Sequence, residues 1–199
     1  MPKNPDRETA WAADQPLESI PALAWQMLAD GAARSTAAFH TPVLATQAEA
    51  GPELRTVVLR AAEAEQQLLI CHTDLRSPKL REISLRNSTV WLFYDALAKV
   101  QLRIKAVATL HQGDELARQR WQASSEQSRQ CYRNRLAPGA EVEDPDDAIL
   151  ALPDDGFVNF AVIRSQVQSL EWLYLRSGGH RRARFVFKNG HWQGAWLAP

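Results

Sequence analysis

Alternating apolar and polar residues dominate the middle of the chain, and the clearest run spans residues 99–110. Its apolar members fall on one face and its mostly polar members on the other, which is the period-two pattern of a half-buried β-strand. The apolar face carries Val100, Leu102, Ile104, Ala106 and Ala108, and the other face carries Gln101, Arg103, Lys105 and Val107. This run therefore predicts a long strand.

Shorter apolar runs predict further strands and hairpins. Strands are expected at 41–46, 54–61, 66–73, 89–94, 157–164, 166–175, 183–188 and 191–197. A hairpin is expected around residues 63–65, and Asn189-Gly190 is a strong hairpin signal because both residues tolerate positive φ. The pattern predicts a mostly antiparallel β-barrel.

Three stretches with a helical period predict helices at 17–39, 79–86 and 113–135. Pro21 suits the first turn of the first helix. The third has Asp114 and Glu115 early and arginines late, as the helix dipole prefers. The acidic stretch 140–156 is expected to be a loop with a short helix at 147–150. The predicted fold class is mostly β with α additions (α+β), in a single domain at 16–199 after a flexible tail at 1–15.

Composition narrows the classes of function. The chain has 199 residues, a formal net charge of zero and 45% apolar residues. Zero net charge argues against nucleic acid as the main partner, since phosphate backbones require a basic surface. No apolar run approaches the length of a membrane span. Two distant cysteines and the lack of a leader-like segment at the N-terminus predict a cytoplasmic protein. The five histidines show no metal-ligand spacing, so no metal is expected.

The most informative stretch runs from His72 to Lys79, with the sequence His-Thr-Asp-Leu-Arg-Ser-Pro-Lys. It follows a predicted strand and opens a predicted helix. Hydroxyls, backbone N–H groups, cationic side chains and a helix start are together suited to an anionic ligand. Two flanking segments make the motif more specific, Arg55-Thr-Val-Val-Leu-Arg60 before it and Val100-Gln-Leu-Arg103 after it.

This ordered set resembles the pyridoxamine 5'-phosphate oxidase-like, FMN-binding split-barrel family. Segments near the C-terminus agree with the resemblance, which covers roughly residues 35 to 199: Leu170-Glu-Trp172, Gly178-Gly-His-Arg181, Arg184-Phe185 and Leu197-Ala-Pro199. The resemblance implies an FMN-binding split β-barrel that acts as a homodimer, with FMN at the subunit interface.

The resemblance also implies a set of FMN contacts. Arg55 and Lys79 are expected to hold the phosphate, with hydroxyl donors from Thr73 and Ser77. The remaining expected contacts are Thr56, Val57, Val58, Leu59, Arg60, His72, Arg76, Gln101, Trp172 and Arg184. On one continuous strand, Arg55 and Arg60 would point to opposite faces, so they could share a ligand only if the strand twists or bulges. His72 is given no role in proton transfer. Each of these residues also has an ordinary structural interpretation, such as turn capping for Thr73 and Ser77 or core packing for Trp172.

Departures from the family pattern bear on the substrate. Arg60 stands where the oxidase has a lysine, Pro78 replaces an arginine for which Arg76 is a candidate substitute, and the histidine that should follow Arg181 is missing. These changes argue for a branch of the family other than the oxidase itself. Arg60, Arg129, Tyr132 and Arg181 are the candidates to bind a small anionic substrate.

The expected activity is that of an FMN-dependent oxidoreductase. The alternatives are an NAD(P)H-dependent flavin reductase and a non-catalytic FMN carrier or sensor.

Overall fold

The computed structural model describes residues 15–149 and 155–199, and most of the predicted tail, residues 1–14, lies outside this range. Within these described residues, nine strands form one antiparallel sheet, which confirms the mostly β class with α additions. The strands are β1 (Val43–Ala48), β2 (Gly51–Thr56), β3 (Leu59–Glu63), β4 (Leu68–Asp74), β5 (Ser88–Asp95), β6 (Val100–His111), β7 (Phe160–Tyr174), β8 (Arg181–Lys188) and β9 (His191–Leu197).

The helices are α1 (Ile20–Ala33), α2 (Pro78–Leu85), α3 (Glu115–Ala123) and α4 (Glu126–Gln130), with short 3-10 turns at Leu17–Ser19, Pro145–Ile149 and Phe157–Asn159. The strand order is β2-β1-β5-β6-β7-β4-β3, and β8 and β9 branch from β7. No pairing between β2 and β3 closes the sheet within the described ranges.

The buried side of the sheet carries the main core. Strand β6 contributes the five apolar residues of the predicted alternating face, all of which are buried, so that prediction is confirmed. A smaller cluster lies on the other side of β4 and packs beneath α3; it comprises Ile70, Ala117, Trp121, Tyr132, Phe160 and Val162. The two clusters give β4 a buried environment on both faces.

The predicted strand 54–61 is wrong as one continuous element. The chain leaves β2 at Thr56 and enters β3 at Leu59, and these two strands lie at opposite ends of the main sheet path. Between them, the N–H groups of Val57 and Leu59 donate to the carbonyls of Pro42 and His40 at 2.9 Å each. The segment at 57–58 therefore carries the chain from one edge to the other, and Arg55 and Arg60 do not share a strand.

Two predicted helices are too long. The first ends at Ala33, because the chain turns back and brings Phe39 against Gly31. The third breaks at Ser124, which is extended with ψ 143°, and restarts after Ser125, whose hydroxyl accepts from the N–H of Ser128. Serine favours such caps over helix interiors, and this explains the break.

The predicted strands 157–164 and 166–175 are one strand, β7. It pairs with β6 along its length, with β4 in its first half and with β8 in its second half. The last hairpin is confirmed, with Asn189 at φ 52° and Gly190 at φ 79°.

Candidate functional site

Lys79 lies where the end of β4 meets the start of α2. Its Nζ lies 3.0 Å from Thr73 Oγ1 and 2.5 Å from Ser77 Oγ. Both hydroxyl residues are buried, and Ser77 is the N-cap residue of α2. The structure therefore brings together three of the residues predicted to bind the phosphate, and it does so through a strand end, a turn and one helical turn.

Arg55 reaches the same region from β2. Its Nη1 donates to Thr46 Oγ1 and, at 3.1 Å, to the carbonyl of Glu53. Its Nη2 donates to Glu82 Oε2 at 3.0 Å, and the hydroxyl of Thr46 donates to the same carboxylate oxygen. These contacts close a ring through Arg55, Thr46 and Glu82, which we call the Arg55 ring.

The charges of this region are unbalanced. Arg55 pairs with the buried carboxylate of Glu82, and the carboxylate of Asp74, which also lies near Lys79, is itself paired with Arg76. Burial lowers the pKa of Lys79 below its ordinary value, and the positive charge of Arg55 lowers it further. A further anion beside these two cations would raise the pKa of Lys79 and so offset the effects of burial and of Arg55.

The donors of the site fit a phosphate group. The contacts above use three of the five N–H bonds of Arg55 and two of the three of Lys79. Within the described residues, the other N–H bonds have no protein acceptor. Cationic groups with unused donors, beside two hydroxyls at a helix start, are what an oxyanion requires.

His72 belongs to a different environment, although it precedes Thr73. Its ring packs edge-on against Phe160, with ring centroids 4.9 Å apart. Burial lowers the pKa of His72 from its ordinary value to about 3, and the nearby charges of Arg60 and Arg120 lower it further. His72 is therefore neutral at physiological pH.

Arg60 lies on this second side of β4. Its Nη2 is 3.5 Å from Ser128 Oγ at the start of α4. Arg120 of α3 pairs with Glu63 at 2.7 Å. Arg60 thus lies in a different polar cluster from Lys79, with β4 between them.

The other substrate candidates make contacts within the protein. Arg129 donates to the carbonyls of Trp121 and Gln122 at 3.1 and 3.0 Å, and its guanidinium lies 5.2 Å from the centre of the Trp121 ring. Tyr132 is buried in the small cluster beneath α3. Arg181 stacks on the Trp196 ring at 4.4 Å. The structure does not bring these residues together with Lys79.

Arg76 anchors a loop. Its guanidinium binds Asp74 with contacts of 3.0 and 2.7 Å and donates to the carbonyls of Asn134 and Arg135 at 2.9 and 3.0 Å. These contacts occupy the fork that a phosphate would need. Its predicted role as a substitute phosphate ligand has no support in this arrangement.

The remaining predicted contacts are dispersed. Gln101 is half-buried between Tyr94 and Leu173 on neighbouring strands, and Arg184 is exposed on β8. Trp172 is buried in the main core, 6.0 Å from the ring of Tyr174 and 6.2 Å from that of Trp196. Val57 and Val58 form the crossing between β2 and β3, flanked by exposed Thr56 and buried Leu59. Their roles at a flavin stay predictions.

Sequence reasoning missed Thr46, Glu82 and Arg120. The spacing of Lys79 and Glu82, three residues apart on one helix face, was the available signal for Glu82. Thr46 is brought to Arg55 only by the pairing of β1 with β2, and Arg120 is brought to β3 only by tertiary packing. The spacing of these residues in the sequence does not predict those contacts.

Comparisons with known proteins bear on the family and the fold of this chain. Residues 22–112 match the family model described as pyridoxamine 5'-phosphate oxidase, FMN-binding domain. No curated protein matches. A pyridoxamine 5'-phosphate oxidase-related, FMN-binding protein from Nostoc punctiforme PCC 73102 is similar in structure, with a TM-score of 0.73 and 21% identity over 94% of this chain and all of that one.

PhzG from Burkholderia lata 383, solved with tetrahydrophenazine-1-carboxylic acid, is also similar. Its TM-score is 0.71 and its identity 21%, over 98% of this chain and 96% of that one. The resemblance inferred from the sequence motifs, and with it the split-barrel fold, is confirmed.

Proposed function

With residues 22–112 matching the FMN-binding domain of the pyridoxamine 5'-phosphate oxidase family, we propose that this protein binds FMN and acts as an FMN-dependent oxidoreductase. The observation that carries the proposal is the convergence of Arg55, Lys79, Thr73 and Ser77 on one region. Two cations and two hydroxyls are suited to the phosphate of FMN, since the nearby carboxylates of Glu82 and Asp74 are paired with Arg55 and Arg76.

Each of these residues has a definite task in the proposal. Lys79 supplies a point charge at the start of α2, Arg55 supplies a planar fork from β2, and Thr73 and Ser77 orient the lysine by accepting from it. When bound, FMN supplies the electron-transfer chemistry that side chains cannot. The protein anchors the phosphate and thereby fixes the position of the flavin ring.

We propose that the site is completed by a second copy of the chain. A homodimer with FMN at the interface would bring exposed residues of one subunit, such as Arg184, to the flavin bound by the other. Light scattering of the purified protein with and without FMN tests this assembly. A monomer at micromolar concentration in both conditions would contradict it.

The proposed substrate is a small anion. Arg60 and Arg120 flank His72 on the far side of β4. Among the described residues the guanidinium of Arg60 makes one hydrogen bond, to Ser128, so Arg60 is the proposed ligand of this substrate. We place the protein in the cytoplasm, where Cys71 and Cys131, both free thiols in the structure, would remain reduced.

Binding of FMN is the first test. The purified protein should show a two-banded visible flavin spectrum, and the released cofactor should have the mass of FMN. Arg55→Ala and Lys79→Ala should weaken FMN binding by about tenfold or more, since each removes a charged donor. Lys188→Ala, which removes an exposed lysine beside the last hairpin, is the matched control. A colourless protein that does not bind added FMN would overturn the proposal.

Steady-state turnover assays distinguish the proposed oxidoreductase from the alternative functions. Oxidation of an amine such as pyridoxamine 5'-phosphate with uptake of oxygen supports oxidase activity. Consumption of NAD(P)H without an amine supports a flavin reductase. Tight FMN binding without turnover of any reductant supports a carrier or sensor and contradicts the enzymatic part of the proposal.

A further inference from the structure

The Arg55 ring joins two residues that do not belong to the proposed set of phosphate contacts. We propose that Thr46 and Glu82 are positioning residues, which hold the guanidinium of Arg55 in place and so set the preference for FMN over riboflavin. The inference rests on the proposed function and deepens it, because it concerns selectivity for a phosphorylated flavin at the same site.

Thr46 is the pivot of the ring. Its hydroxyl accepts from Arg55 Nη1 and donates to Glu82 Oε2, so one atom fixes both partners. Thr46 is 3% exposed, and no other acceptor reaches Arg55 Nη1 from β1 among the described residues. Valine has the same shape and can do neither, so the contact depends on the hydroxyl alone.

Glu82 fixes the other end of the guanidinium. It accepts from Arg55 Nη2 at 3.0 Å, and its side chain is only 11% exposed. A carboxylate this buried is retained at a favourable energy only when it is paired and hydrogen-bonded. The ring meets that condition. With the bond from Nη1 to the Glu53 carbonyl, it leaves one Nη2 hydrogen and the Nε hydrogen of Arg55 without an acceptor among the described residues.

The negative charge of Glu82 has two opposing effects on a bound phosphate. It repels the phosphate, and it attracts both Arg55 and Lys79, the latter a group whose pKa is lowered by burial and by the charge of Arg55. We infer that positioning outweighs repulsion. Arg55 carries a long, flexible side chain, and a donor that is already fixed loses little entropy when the ligand arrives.

Thr46→Val is the primary test, and the measured quantity is the ratio of the Kd for riboflavin to the Kd for FMN. Riboflavin has the same ring and ribityl chain but no phosphate, so a general loss of structure changes both constants and leaves their ratio intact. We expect Thr46→Val to lower the ratio about tenfold, equivalent to about 1.4 kcal/mol. Thr46→Ser keeps the hydroxyl and should restore the wild-type ratio.

Glu82→Gln provides a second test with little change in shape. It should also lower the ratio, because a neutral amide holds the guanidinium less firmly than a carboxylate. Thermal unfolding shows whether each variant is folded. If either Thr46→Val or Glu82→Gln does not fold, the ratio measured for the folded variant tests the positioning role.

The outcomes separate this inference from the proposed function. A wild-type protein that binds neither flavin overturns the proposed function. A wild-type preference for FMN that Thr46→Val leaves unchanged overturns the positioning role. A ratio that rises in Glu82→Gln also overturns it, since the carboxylate would then act mainly as a competitor of the phosphate.

Discussion

The side chains of His72 and Thr73 lie on opposite faces of β4, although the two residues are adjacent in the chain. Thr73 Oγ1 is 3.0 Å from Lys79 Nζ, whereas the His72 ring packs on Phe160 in the cluster beneath α3. Alternation along a strand produces this separation. The predicted motif is therefore divided between two faces, with the proposed phosphate site on one and the surroundings of Arg60 on the other.

The buried position of His72 predicts a pH-dependent stability. Its pKa is lowered from an ordinary value near 6.5 to about 3, mainly by burial. Between these values the unfolded chain binds a proton that the folded chain does not, so stability falls as the pH drops from 6.5 towards 3. At pH 4 we expect a loss of about 3 kcal/mol from this residue.

Urea unfolding of wild type and His72→Phe at pH 7 and pH 4 measures this effect. Phenylalanine keeps an aromatic ring against Phe160 but cannot be protonated. The fall in unfolding free energy should be smaller in the variant than in wild type, while other acidic groups affect both alike. Equal falls in the two proteins would show that His72 is solvated in the folded state.

Lys79 predicts an alkaline limit to FMN binding. Its pKa lies below the ordinary lysine value because of burial and the neighbouring Arg55. As the pH rises through that lowered pKa, Lys79 loses its charge before an exposed lysine would, and FMN affinity should fall. Fluorescence titrations of FMN and riboflavin from pH 7 to pH 10 measure this.

Riboflavin is the internal control, because ionisation of the flavin ring is common to both ligands. Lys79→Arg keeps its charge over this range and should bind FMN with an affinity that follows the riboflavin curve. An equal decline of both ligands in wild type would mean that Lys79 does not contact the phosphate.

Gly31 predicts a steric limit between α1 and the segment that follows it. A Cβ at this position would lie 2.7 Å from the carbonyl carbon of Phe39 and 2.8 Å from its Cβ. Gly31→Ala should destabilise the fold by about 1 to 3 kcal/mol, even though alanine favours helices by about 1 kcal/mol. Gly178→Ala is the control, since a Cβ there meets no atom within 4 Å. A variant at Gly31 as stable as wild type would show that Phe39 moves away freely.

The two cysteines should differ in reactivity. Cys131 is exposed, whereas Cys71 is buried in β4, where burial raises its pKa to about 12. A thiolate-specific reagent should label one thiol per native chain and two per denatured chain. Cys131→Ser should abolish labelling of the native protein. Rapid native labelling of that variant would reveal frequent opening of β4.

We expect Arg76 to stabilise the loop at residues 134–135 without contributing to FMN binding. Arg76→Ala removes the donors to the carbonyls of Asn134 and Arg135. Trypsin should then cleave the loop around residues 133–135 faster, while the ratio of riboflavin to FMN dissociation constants stays near that of wild type. A large drop in that ratio would indicate that Arg76 contacts the phosphate of FMN.

Sequence periodicity was sufficient for most of the sheet. The alternation of β6 and the Asn189-Gly190 hairpin are local properties, because side-chain period and turn chemistry depend on a few neighbouring residues. The same holds for Lys79, Thr73 and Ser77, which a single strand–turn–helix junction brings together. Their predicted proximity could be derived from a stretch of seven residues.

The rest depended on contacts between distant segments. An apolar run such as Thr56–Leu59 has the same appearance whether it continues a strand or crosses between two edges, and only the pairing of β2 with β1 and of β3 with β4 decided between them. The Arg55 ring likewise required β1, β2 and α2 to meet. The sequence by itself determined the local junction at which Thr73, Ser77 and Lys79 meet. Only the tertiary structure decided which of the predicted site residues share a face, because strand order and packing are set by the whole core and not by local pattern.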